Sequence, residues 1–242
     1  MFVFTGIGTV INVVAIVIGG LIGLVARRGI KERYKETILA AIATCVMFIG
    51  FAGALKEMIV IEGNHIAMQG TLMLIGSFVI GTLIGEILDF DGALERFGEW
   101  LKIKTKNEGD SRFIDGFLIA SFTVCIGAMA IVGAIQDALT HDYSTLAAKS
   151  VLDFIFVMIM TASLGKGCIY SAIPVGILQG AVTLLAGVIA PFLTTVAISN
   201  ISFTGSLMIF LVGVNIMFDK RIRIANMLPT LVVAALWASF VN

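Results

Sequence analysis

Charge is scarce in this sequence. Only 13% of its 242 residues are Asp, Glu, Lys or Arg, about half the share of an ordinary soluble domain. The two signs balance to zero and no run of like charge stands out, so neither a nucleic-acid surface nor a charged tail has support. Histidine is scarcer still. His65 and His141 are the only two, and both fall in polar connecting stretches, which argues against a bis-histidine haem bundle or a histidine-based intramembrane protease. The chain holds neither HExxH nor a phosphate-binding GxxxxGK[ST] motif, so metalloprotease chemistry and ATP-driven pumping by this chain alone are not indicated. Cys45, Cys125 and Cys168 lie in or beside apolar runs, with neither zinc-site nor redox-pair spacing, and read as small apolar fillers. We therefore expect no enzymatic activity, no metal and no cofactor. No Pro-rich or Ser-rich linker divides the chain, so a single integral membrane domain over residues 1–242 is expected.

What fills the sequence is hydrocarbon: 59% of residues are hydrophobic and the mean hydropathy is +1.05. Apolar stretches of about 17–25 residues can cross a bilayer as helices, and inside lipid the backbone must satisfy its own hydrogen bonds. Eight such stretches are expected, over residues 3–26, 37–55, 66–88, 113–136, 147–165, 169–193, 203–218 and 225–241. The seventh is short and the eighth reaches the end of the sequence, which leaves seven as the alternative. They are too long and continuous for barrel strands. The fold class is therefore all-α, a polytopic transmembrane helix bundle.

The loops fix an expected orientation. With the N-terminus outside, fourteen of the sixteen basic residues fall in the loops 27–36, 89–112, 166–168 and 219–224, leaving only Lys56 and Lys149 on the outer side. That is a strong positive-inside bias, and it puts both termini outside a bacterial inner membrane. The first basic residues, Arg27 and Arg28, follow the first apolar stretch, so that stretch reads as a retained span and not a signal peptide. In the longest loop, Leu94, Phe97, Trp100 and Leu101 recur at helical spacing. This predicts an amphipathic segment at about 90–104, lying at the interface or extending the third span into water.

There are 26 glycines. Ser77, Gly81 and Gly85 form a ladder of small residues on the third stretch, as do Gly176 and Gly180 on the sixth, so helix backbones can approach closely within the chain or between copies of it. Residues 12–23 (NVVAIVIGGLIG) also resemble 179–190 (QGAVTLLAGVIA). Because the two stretches would cross in opposite directions, they suggest an inverted internal repeat of the kind common in secondary transporters.

Against this background a few polar residues stand out. A charged side chain at the bilayer centre costs about 2.5–3.5 kcal/mol on insertion scales. Asp153 lies about five to seven residues into the fifth stretch, roughly 8–10 Å at 1.5 Å per residue. Lys149 is one turn earlier and within reach of it. Gln136 and Asp137 close the fourth stretch, Asn12 and Gln69 sit in the outer halves of the first and third, and Gln179 and Asn215 lie near the middle of the sixth and seventh. Together they predict an outward-opening polar vestibule in which Asp137 and Asp153 attract a cation or protonated solute. Gln179, Asn215 and Asn12 would supply neutral hydrogen bonds. Gly127, Gly133 and Pro174 mark places where a helix could break and free carbonyls for a ligand. At the other side neutralisation of the basic loops and positioning of helix ends explain Glu86 and Asp115 adequately, and an inner gate is the sharper alternative. The bland reading of the whole set is a local Lys149–Asp153 ion pair with amides bridging helices.

Several longer stretches carry a family resemblance: GTVINVVAIVIGGLIGL (8–24), LIGEILDFDGALERFGEWLK (83–102), SRFIDGFLIASFTVCIGAMAIVGAIQDALTHDYSTLAAKSVLDF (111–154) and KRIRIANMLPTLVVAAL (220–236). In these the chain resembles the bacterial membrane-protein family known as domain of unknown function 554, over nearly its whole length. The resemblance implies a multi-pass inner-membrane protein of a group sometimes labelled as transporters, and it assigns no functional residues. Two readings follow. The first is a secondary transporter or channel for a small solute or ion. The second is a non-transporting membrane scaffold or partner subunit, with the glycine-rich faces meeting another copy. Both have the lipid bilayer as a partner, and neither involves nucleic acid.

Overall fold

The computed structural model describes residues 5–27, 32–62, 65–125, 128–218 and 222–238. Arg28, Lys31, Lys220, Arg221 and Gly127 lie outside these, as do the side chains of Arg33 and Lys35.

Among the described residues the chain is all-α apart from one hairpin. Its helices are α1 (Ile7–Arg27), α2 (Glu32–Met58), α3 (Thr71–Leu88), α4 (Phe90–Lys104), α5 (Phe113–Cys125), α6 (Ala128–Thr140), α7 (Ser144–Leu164), α8 (Ala172–Leu184), α9 (Ala186–Ile189), α10 (Thr195–Phe218) and α11 (Pro229–Trp237). Short 3-10 turns at Lys166–Ser171 and Ile224–Met227 lead into α8 and α11. Strands β1 (Ile59–Glu62) and β2 (His65–Met68) pair antiparallel, with Ile59 opposite Met68.

The burial pattern is the reverse of a soluble protein's. Helix α1 buries Gly8, Thr9, Asn12, Ile16, Gly19, Gly20 and Gly23, while Val10, Val14, Ile18, Leu21 and Val25 are exposed. Small and polar residues face the neighbours, and branched apolar ones face out at helical spacing. Among the described residues, six helices are long and apolar enough to cross a membrane. A seventh span results if α5 and α6, bent by 58° at a short break, are counted as one. The eighth expected stretch forms only a shorter apolar helix, Ile224–Trp237. The third begins at Thr71 and not at residue 66, because 66–68 belong to β2. Short alternating segments around a turn carry little of the period that marks a helix, which is why the hairpin was not anticipated.

Two compact units emerge, each assembled from separated pieces of chain: 1–42, 94–125 and 129–189 in one, 43–93, 126–128 and 190–242 in the other. The pieces interleave along the sequence, so no linker marks either boundary.

In the first unit α1 and α7 run parallel. A β-carbon at Gly19 would stand 2.5 Å from the Phe154 carbonyl oxygen, and one at Gly23 would collide with that of Met158. Helix α5 packs on the turn before α8, with Phe113 against Tyr170 at 5.3 Å between rings and Gly167 beneath the Phe113 carbonyl. Helix α4 buries Leu101 against Phe113 and Phe117 and leaves Trp100 and Ile103 exposed. It is a separate amphipathic helix, since the chain breaks at Asp89 in a left-handed conformation (φ 49°).

In the second unit α3 is antiparallel to α11: Gly76 lies under Trp237, Gly81 under Thr230 and Gly85 under Asn226. The glycine ladder on α3 is thus filled from within the chain. Gly180, on α8, has open space before it. The two stretches compared as an inverted repeat differ in the structure. Residues 179–190 are broken after Leu184, whereas 12–23 are continuous helix. The closer match is VIGGLIG (17–23) with VIGTLIG (79–85), identical at all but one position. One copy seats a parallel partner and the other an antiparallel one.

Candidate functional site

Helix α7 carries the centre of the site. It starts at Ser144, earlier than expected, so Asp153 is the tenth of its 21 residues. That places the carboxylate about 14 Å along the helix at 1.5 Å per residue, in its middle and deeper than the sequence suggested. Asp153 and Lys149 are both almost fully buried, at 4% and 6% exposure.

Lys149 and Asp153 share the inward face one turn apart, and the ammonium lies 2.5 Å from Asp153 Oδ2. From α1, the Asn12 amide donates to the same oxygen at 2.9 Å. Lys149 Nζ also donates to the Val124 carbonyl at 2.7 Å. Val124 stands in the last turn of α5, whose carbonyls lose their intrahelical partners where the helix stops. The broken fourth stretch therefore supplies an acceptor, and a cation fits it because a helix C-terminus is the negative end of its dipole. Three helices converge on one carboxylate, one amide, one ammonium and one backbone carbonyl. Asn12 Oδ1, also buried, has no partner among the described residues.

The other predicted residues separate into smaller arrangements. Asp137, fully buried on α6, accepts from the Gly8 amide in the first turn of α1 at 2.9 Å, and so caps that helix from across the unit. Gln136 Oε1 accepts from Thr145 Oγ1 at 2.7 Å, tying α6 to the start of α7. Gln179 on α8 is 1% exposed, and neither of its amide atoms has a partner among the described residues. The Thr183 hydroxyl one turn later is likewise buried without one.

Gln69 and Asn215 belong to the second unit and have local roles. Gln69 precedes α3 and does not lie in it; its side chain donates to the Glu57 carbonyl at 3.1 Å, closing the hairpin. Asn215 stands three residues from the end of α10 and not near its middle. Its side chain donates to the Ile222 carbonyl and accepts from the Ile222 amide, both at 2.9 Å. A polar side chain near a helix end commonly spends itself on the loop backbone. The two gate candidates also fall in different units. Glu86 pairs with Arg223 at 3.2 Å on an exposed surface, and Asp115 is exposed in the first turn of α5, where the dipole favours an acid.

A family model described as protein of unknown function DUF554 matches residues 7–239. The chain belongs to that family. It is 28% identical to the uncharacterized membrane protein YdfK of Bacillus subtilis over 226 residues, 93% of each chain. It is also 28% identical to the uncharacterized protein YqgA of Escherichia coli over 232 residues, 94% of each. No solved structure matches it. With the outward-facing apolar stripes, this establishes a multi-pass membrane protein of the DUF554 family.

Sequence reasoning missed the Val124 carbonyl and the Gly8 amide, because backbone groups leave no residue-type signal. The nearest hint was the suspected break near Gly127. It also missed a polar cavity of about 420 Å³ lined by Arg27, Lys106, Asn107, Gly109, Asp110, Ser111 and Lys166. Those residues were read only as basic loop.

Proposed function

We propose that this DUF554 protein is a secondary transporter or channel that moves a small solute or ion across the bacterial inner membrane, with both termini outside and no catalytic role. The observation that carries the reading is the Lys149–Asp153–Asn12 cluster on the end of α5, halfway along a membrane helix. A buried ion pair is a poor stabilising device, since well-packed apolar residues of the same volume often do as well or better, and hydrocarbon penalises charge further. Its persistence in so apolar a chain argues for use. A carboxylate, an amide and a helix-end carbonyl also make a ligand set suited to a small cation, and Lys149 fills it with a tethered one. An incoming cation or protonated amine would compete with that ammonium. Broken helices at such sites are usual in secondary transporters.

The test uses purified protein in liposomes loaded with a pH-sensitive dye, challenged with Na⁺ gradients, K⁺ gradients and small amines. Asp153→Asn should abolish the wild-type flux while the protein still elutes as a folded species; unchanged flux removes Asp153 from the mechanism.

One observation favours the second reading, a membrane scaffold: the Lys149–Asp153 pair is closed and almost fully buried. A cysteine at position 179, in a chain otherwise freed of cysteine, separates the two. Labelling by a polar thiol reagent from either side supports a permeation path, and no labelling together with no flux supports the scaffold.

A further inference from the structure

The 420 Å³ cavity has nothing to do with the Lys149 cluster. Its lining brings three cationic side chains, Arg27, Lys106 and Lys166, to one carboxylate, Asp110. The single acid cannot neutralise them. Arg27 Nη1 lies 3.8 Å from Asp110, too long for a strong contact. Lys166 donates to a neutral acceptor, Asn107 Oδ1, at 3.1 Å, and Asn107 is itself buried and held by its amide to Thr105 Oγ1 at 2.8 Å. Lys106 is held at φ 55°, in the left-handed region. A residue without glycine's freedom rarely sits there unless its surroundings fix it. Gly165 (φ 104°) leaves room for the Arg27 guanidinium, because a β-carbon there would overlap it. The volume falls in the range of roughly 300–1,000 Å³ typical of small-ligand sites.

Position narrows the ligand. Arg27 is the last residue of α1 and Lys166 follows α7, two membrane-crossing helices, so the cavity opens where hydrocarbon gives way to headgroups. Helix α4 exposes Trp100 and Ile103 and ends two residues before Lys106. A net positive cavity at that depth, with an arginine fork and two ammonium groups, matches a phosphate anion. We propose that Arg27, Lys106 and Lys166 form a binding site for a phosphate group, carried by an anionic phospholipid or free in solution.

The test measures thermal stability and native mass spectra of the full chain in neutral detergent. Phosphatidylglycerol, phosphatidylcholine and inorganic phosphate are added separately, the last against chloride at matched ionic strength. A lipid site retains phosphatidylglycerol over phosphatidylcholine. A free-anion site is stabilised by inorganic phosphate instead. In either case Lys106→Glu and Lys166→Glu should each weaken binding by about fivefold or more, following the usual worth of one basic residue against an anionic surface. Lys104→Glu, an equal charge change on the exposed end of α4 outside the cavity, should leave it nearly unchanged. The Lys106 side chain is exposed, and the turn there is held by its backbone N–H, which donates to the Ile103 carbonyl at 3.0 Å and is kept in the Glu variant, so that variant reads binding and not folding. No preference for either anion, or an equal loss in Lys104→Glu, overturns the proposal.

Discussion

Lys149→Met isolates the energetic core of the site. Methionine keeps the length and most of the volume of the side chain and removes its charge. The substitution leaves Asp153 buried with one donor, the Asn12 amide at 2.9 Å, and strips the Val124 carbonyl of its 2.7 Å partner. Breaking a buried pair by removing one member costs about 3–5 kcal/mol. The orphaned carbonyl contributes on the order of 1–3 kcal/mol to the same loss, so about 4 kcal/mol is expected in all. Removing both charges in Lys149→Met/Asp153→Leu should return most of this, leaving a deficit of roughly 1–2 kcal/mol for the lost hydrogen bonds. Reversible unfolding in mixed micelles, followed by circular dichroism for the wild type, both single variants and the double, gives the coupling energy directly. If Lys149→Met costs less than about 1 kcal/mol, or if the two single effects simply add, the pair is not the buried, mutually dependent element described above, and the reasoning from desolvation fails.

Three further outcomes can be checked. Gly23→Val should destabilise the chain by at least the roughly 1–3 kcal/mol typical of overpacking, because its new atoms meet the Met158 backbone; Gly180→Ala, with open space before it, should be neutral or stabilise by up to about 1 kcal/mol, both read in the same unfolding assay. Asp142, exposed before α7, has its carboxyl held below the usual carboxylate range by the hydroxyl and backbone amide of Ser144. A depressed folded value means its support is fully present above the unfolded value of about 3.9 and fades as pH falls through the lower folded one. Protection factors of the amides at Ser144–Ala147, corrected for intrinsic exchange, should therefore fall on acidification in the wild type, and be low and insensitive to pH over that window in Asp142→Ala, which lacks the accepting oxygen.

Much of the fold was legible because lipid leaves the backbone few choices. Runs such as those of α1, α2 and α10 can only be helices; Gly133, offered as a place for a break in the fourth stretch, instead lies inside α6, and Gly127 lies outside the described residues. The Lys149–Asp153 pair was legible too, since i and i+4 on one helix must meet. The partners were not. Asn12 is 141 residues from Asp153 and Gly8 is 129 from Asp137; nothing in a periodic apolar pattern says which helix lies beside which. Gln69 and Asn215 misled because a polar residue near a span end looks the same whether it faces a pathway or closes a loop.

The sequence alone determined that this chain lives in a membrane as a helical bundle and that its few mid-span charges must be compensated, because transfer of charge and backbone into hydrocarbon is penalised wherever it occurs along the chain. Only the tertiary structure decided what compensates them: Lys149 on the open end of α5, Asp137 on the start of α1, and three basic ends gathered around one cavity. Those pairings depend on which backbones approach closely, and that is set by glycine-sized gaps whose matching surfaces are far apart in the chain.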